Sequence, residues 1–141
     1  MNRYEYLDHT GDIGLRVYGT TLVELFTNAA CALLETMADI NTIEEQREIT
    51  LELSAETVEA LFVAWLDELI FRHEVEEILF RRVEIQTLSQ TPPQLSALVF
   101  GETGDTERHT VYTEVKSVTY HQLFVEQNPD GTWVAQVIFD L

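Results

Sequence analysis

Two stretches of this chain repeat their apolar residues at helical spacing, while most of the rest alternates in period two. Leu22, Leu25, Phe26, Ala29, Ala30, Leu33, Leu34 and Met37 follow the i, i+3, i+4, i+7 pattern. Val58, Leu61, Phe62, Trp65, Leu66, Leu69 and Ile70 follow it again. A chain with two such stripes and a majority of alternating segments is expected to fold as α+β. Two helices would pack on antiparallel or mixed β-sheets as a sandwich.

Local signals set the expected boundaries. Thr21 and Glu24 have capping-box spacing before the first stripe, which stops near Ala38 and Asp39. Ser54 is placed to cap the second helix. Strands are expected at 3–7, 15–18, 48–53, 79–88, 95–100, 123–126 and 133–140. In the third of these Ile49, Leu51 and Leu53 face inward and Glu48, Thr50 and Glu52 outward. Pro92-Pro93 and Asn128-Pro129-Asp130-Gly131 read as turns, residues 101–108 as a polar loop and 111–120 as mixed. No repeat or linker interrupts the 141 residues, so one domain over 1–141 is expected. A chain of this size buries about two thirds of its unfolded surface.

Charge excludes several classes of function. There are 25 acidic residues against 8 basic ones, a formal net charge of -17, and Lys116 is the only lysine. A field this negative repels phosphate backbones and anionic membranes, so no direct nucleic-acid or membrane binding is expected. Cations and basic protein surfaces are the natural partners. The one cysteine, Cys31, permits no internal disulfide and fits a reducing compartment. It lies beside the core face of the first helix, a place for packing rather than nucleophilic chemistry. Residues 1–5 lack a basic region followed by an apolar one, and no apolar run reaches the roughly 18 residues of a membrane span. A cytoplasmic location is the expectation; the sequence does not set the oligomeric state.

Three places hold residues able to carry chemistry. Asp8-His9-Thr10-Gly11-Asp12 packs carboxylates and an imidazole into five residues, which suits convergence on a cation. It equally suits a loop in which Asp8 and Asp12 accept backbone hydrogen bonds. At the other end, alternation puts Asp140 on one face with Val134 and Ile138, where a buried carboxylate needs a partner. The terminal carboxylate of Leu141 would stand beside it and favour a divalent cation; a solvated, frayed terminus is the alternative. Lys116 lies in the β-branched run Val115-Lys116-Ser117-Val118-Thr119-Tyr120-His121, and partial burial is expected. It is a salt-bridge anchor, a phosphate contact or an exposed strand lysine. His121 is a second polar group there. His73 suits the end of the second helix, and His109 reads as solvated in the polar loop. No P-loop, GxGxxG, CxxC or HExxH motif is present.

In order and spacing these segments resemble the archease family over essentially the whole chain. Asp8-His9-Thr10-Gly11-Asp12-Ile13-Gly14 is similar to the family's DHTADIG, and Leu61 with Trp65-Leu66-Asp67-Glu68-Leu69 to LLxxWLNELL. Gly101-Glu102 and His109 precede the run from Val115 to His121, which is like VKAVTYH. Val137-Ile138-Phe139-Asp140-Leu141 is like VVFDI. Gly11 and Ser117 replace alanines, and Asp67 replaces an asparagine. The resemblance implies an accessory protein, not an enzyme, that activates an RtcB-type RNA ligase in tRNA splicing and RNA repair. It would promote the ligase's GTP-dependent guanylylation and its multiple turnover. It further implies a divalent metal site, calcium in type with manganese or magnesium possible, held by Asp12, Asp140 and Leu141. Lys116 would join Asp12 and Asp140 in function, with Asp8, His9 and His121 supporting. A metal-dependent phosphoester hydrolase and a general chaperone-like binding module are the other classes these residues allow.

Overall fold

The computed structural model describes residues 3–7, 11–105 and 107–141. Its elements in chain order are β1 (Tyr4–Leu7), β2 (Asp12–Gly19), α1 (Leu22–Met37), a 3-10 turn (Ile40–Thr42), β3 (Arg47–Ser54), α2 (Val58–Glu76), β4 (Ile78–Gln90), β5 (Pro93–Thr103), β6 (Ser117–Gln127) and β7 (Trp133–Asp140). The strands form two sheets, in the orders β1-β2-β7-β6 and β3-β5-β4, and every pairing is antiparallel. The α+β architecture with two helices is therefore present.

Each helix lies against strands of both sheets. That explains why α1 is buried beyond a single stripe: Asn28, Ala32 and Thr36 are buried along with the leucines. A helix covered on two sides cannot leave polar groups unpaired. Asn28 Nδ2 accordingly donates to the Tyr18 carbonyl at 2.8 Å, and the Thr36 hydroxyl to the Ala32 carbonyl at 2.7 Å. The helices meet at Trp65, whose indole N–H donates to the Phe26 carbonyl at 3.0 Å, and at an edge-to-face pair of Phe26 and Phe62. Trp65, Phe26 and Phe62 are all fully buried. Tyr4 and Tyr6 bind β1 to α1 through Glu35 and Thr36.

The local signals hold in part. The Thr21 hydroxyl accepts from the Glu24 N–H at 3.1 Å, as a capping box requires, but the Glu24 carboxylate turns to Thr20. The second helix is capped by Thr57, not Ser54: the Thr57 hydroxyl accepts from the Ala60 N–H, while Ser54 pairs with Gln94 in the sheet. The 128–131 turn closes with Gly131 at φ 92°. Two expectations need larger correction. Residues 101–103 continue β5, so Gly101 and Glu102 are buried strand rather than polar loop. Residues 123–126 belong to one longer strand, β6, whose register with β7 slips between Thr119 and Phe124 where Gln122 takes φ 54°.

The sequence departure at Asp67 has a structural consequence. Its carboxylate accepts the Val118 N–H at 3.0 Å and so ties α2 to the first turn of β6. Burial raises its pKa, and the Val118 N–H only partly opposes this. A carboxyl with a raised folded pKa costs stability once pH climbs above its unfolded value. Asp67→Asn keeps the acceptor and removes the charge. It is expected to raise the melting temperature by a few degrees at neutral pH and to lose that advantage below about pH 4. Thermal melts at the two pH values check this; equal gains at both would refute it.

Candidate functional site

β2 begins beside the point where β7 ends. In the ladder Asp12 stands opposite Asp140, and Asp140 stands opposite Ser117 on its other side. Directly opposed residues project to one face with Cβ atoms about 4.5–5.5 Å apart. Two carboxylates and a hydroxyl thus form one rung across β2, β7 and β6. The face is the one away from the helices, since the alternate residues Leu15, Val17, Val137 and Phe139 are fully buried in the core.

The rung lies at an open sheet end. Asp12 is half-buried and Asp140 is exposed. Alternation groups Asp140 correctly with Val134 and Ile138, but burial stops at Ile138, which is 1% exposed. The expectation of a buried carboxylate is therefore corrected. Like charges directly opposite one another destabilise a sheet, so a cation between them is favoured.

Lys116 reaches the rung through its backbone. Its N–H donates to the Asp140 carbonyl at 2.9 Å, extending the ladder by one residue. Its side chain is exposed, contrary to the partial burial that its β-branched neighbours suggested; Val115 and Val118 fill the core instead. Leu141 is half-buried and packs on the core, which pins the main chain beside Asp140. Asp12, Lys116, Asp140 and Leu141 are thus brought together from both ends of the chain. His121 is not on this rung: it is exposed in the irregular stretch of β6, beyond the Thr119–Ile138 rung. Asp8 and His9 lie outside the described residues.

The donor set fits a hard divalent cation. Two carboxylates are hard oxygen donors, of the kind calcium, magnesium and manganese favour. Among the described residues no group of three or more His, Cys, Asp or Glu side chains converges. The described residues thus supply fewer oxygens than the roughly 6–8 that calcium takes.

Two further polar clusters escaped the sequence reading. On the same face as the rung, Arg16 Nη2 donates to Gln136 Oε1 at 2.6 Å, and Gln136 Nε2 donates to the Gln122 carbonyl at 3.1 Å. Buried Gln136 thereby holds the slipped part of β6 in place. The only hint was a polar residue alternating with Leu15 and Val17. The second cluster surrounds Glu102, which is 3% exposed. Burial would push its carboxyl up, but the Glu44 N–H at 2.6 Å, His109 and Arg108 overcome that and hold it at about 2. His109 Nε2 lies 3.0 Å from Glu102 in a bent contact, and His109 Nδ1 accepts the Asp105 N–H at 2.7 Å. His109 is 7% exposed, so its expected solvation is corrected. This cluster braces the segment that leads to Lys116.

Comparison with known proteins agrees over the full length. The model of the Archease protein family (MTH1598/TM1083) matches residues 4–141. The chain is 37% identical to protein archease of Pyrococcus abyssi, with 100% of each covered. It is 38% identical to protein archease of Methanosarcina mazei, covering 99% of this chain and 96% of that one. The solution structure of Methanobacterium thermoautotrophicum protein 1598 superposes with a TM-score of 0.79 at 37% identity, each chain fully covered. This chain belongs to the archease family.

Proposed function

We propose that this protein activates an RtcB-type RNA ligase, promoting its GTP-dependent guanylylation and its multiple turnover in tRNA splicing and RNA repair. The observation that carries the reading is the Asp12–Asp140 pairing, which sets two carboxylates side by side at an exposed sheet end. A divalent cation, calcium or the ligase's own manganese, would be held by Asp12, Asp140 and Leu141. Bound there, such an ion offsets negative charge and orients oxygen ligands. Water or a partner's groups would complete the coordination. Lys116 moderates repulsion between the carboxylates and supplies a cation toward phosphate. The surface charge of -17 suits docking on a basic, RNA-binding enzyme by electrostatic steering.

The test is guanylylation of the ligase with GTP and manganese, and RNA joining under limiting ligase, each with and without this protein. Asp12→Ala and Asp140→Ala should each lower the stimulation at least tenfold. Both positions are at a solvent-facing strand end, so the variants should stay folded. Undiminished stimulation by a folded variant would sink the assignment.

A further inference from the structure

A second surface stands apart from the carboxylate rung. On the last two turns of α2, Phe71 and Val75 are one helical turn apart and point outward, 50% and 64% exposed. Val111, 53% exposed and bridged to Ala38 at the end of α1, lines the same cleft as Val75. Between helix and segment runs a cleft of about 550 Å³ lined by His73, Glu74, Val75, Val111 and Glu114. It adjoins a smaller one of about 210 Å³ that shares His73 and Val111 and adds Glu77, Leu79 and Asp105. Among the described residues lining the two, there is no lysine or arginine. Four of the chain's eight basic residues are engaged in ion pairs elsewhere: Arg72 on Glu68 and Glu76, Arg81 and Arg82 on Glu45, Arg108 on Glu102.

The surface therefore has an apolar floor and an anionic rim with no internal counter-charge. That combination selects its occupant. A second copy of this chain would bring another net charge of -17 against the same rim, which opposes self-association. Nucleic acid and anionic lipid are repelled for the same reason. A protein segment with apolar side chains on one face and lysine or arginine on the flanks satisfies both the floor and the rim.

We propose that the cleft between the C-terminal half of α2 and residues 111–114 docks a basic, amphipathic segment of a partner protein. Partner side chains would cover Phe71, Val75 and Val111, and its cations would meet Glu74, Glu77 and Glu114. The inference does not depend on the ligase reading, although residues 111–114 lead directly to Lys116. A partner seated here would lie along the segment that enters the carboxylate site.

The test uses the whole protein and a synthetic helical peptide of leucine and lysine, with a leucine and glutamate peptide as its counterpart. Binding is measured by titration calorimetry, and the contact is mapped by hydrogen exchange. The lysine peptide is expected to bind, to slow exchange in residues 71–77 and 111–114, and to weaken with salt. The combined Phe71→Ser, Val75→Ser and Val111→Ser variant should bind at least tenfold more weakly. Val23→Ser, an exposed apolar change elsewhere on α1, should bind as the unaltered protein does. All these positions are exposed, so folding should survive, and melting curves verify it. Protection spread over the whole acidic surface, or unchanged affinity of the folded triple variant, overturns the proposal. So does a concentration-dependent dimer that the triple variant abolishes, which would make the occupant a second copy.

Discussion

Replacing Gly101 by alanine is expected to destabilise the protein by about 3–4 kcal/mol, since its added Cβ would make the tightest approach among the glycines. A Cβ at Gly101 would sit 2.0 Å from the Leu79 carbonyl oxygen and 2.8 Å from Phe80 Cα. Both atoms are backbone of the neighbouring strand, so no rotamer change relieves the clash. β4 and β5 would have to separate where Gly101 pairs with Phe80, next to the register shift between Phe80 and Arg82. Gly131→Ala is the comparison. There a Cβ meets nothing within 4 Å, but φ is 92°, so the cost should be only about 1 kcal/mol of backbone strain. Urea unfolding of the two variants checks the order; a Gly101→Ala protein as stable as Gly131→Ala would show that the strands yield more readily than their backbone contacts imply.

The Glu102→Ala variant should lose about 3 kcal/mol near neutral pH. The mutation deprives the Glu44 N–H, His109 and the Arg108 guanidinium of one shared acceptor, and the His109 contact is buried on both sides. The effect carries a pH signature. Glu102 has a folded pKa of about 2, below its ordinary value of 4.5. A depressed carboxyl contributes stability that is fully present above the unfolded value and is lost as pH falls toward the folded one. The gap between the original protein and Glu102→Ala should therefore narrow between about pH 4.5 and pH 2. Glu102→Gln keeps the volume and an acceptor for the Glu44 N–H, so it should fall between the two. A gap that does not change across that window would mean that shape, not charge, is what Glu102 supplies. Because the cluster braces Arg108 and His109, Glu102→Ala should also loosen the approach to Lys116, although it touches neither Asp12 nor Asp140.

How much of this was legible in the sequence depended on how local each cause is. The first helix was readable because its stripe, its Thr21 cap and its stop near Ala38 all lie within a few turns. The second helix was readable in its stripe but not its start, since Ser54 and Thr57 are both competent caps and only pairing of Ser54 with Gln94 decides between them. Gly101-Glu102 looked like a loop because a glycine beside a carboxylate usually is one. What buries Glu102 comes from Glu44, Arg108 and His109, on other segments. Lys116 misled for a related reason: β-branched neighbours signal a strand but do not say which of them faces in. Spacing left the cation site level with an ordinary turn at one end of the chain and behind a frayed terminus at the other. The resemblance named the residues, and the β2–β7 register puts two of them opposite each other.

That register also governs when a working molecule exists. β2 comes from one end of the sequence and β7 from the other, yet they are neighbours at the centre of their sheet. Their contact closes a loop of nearly the entire chain, the kind that forms slowly because its entropic cost precedes any reward. Only the pairing of β2 with β7 brings Asp12 to Asp140. A nascent, truncated or partly unfolded chain holds each carboxylate separately and has no paired site. On the proposed reading, a partner that recognises the paired carboxylates would read at the same moment whether this long-range pairing has formed.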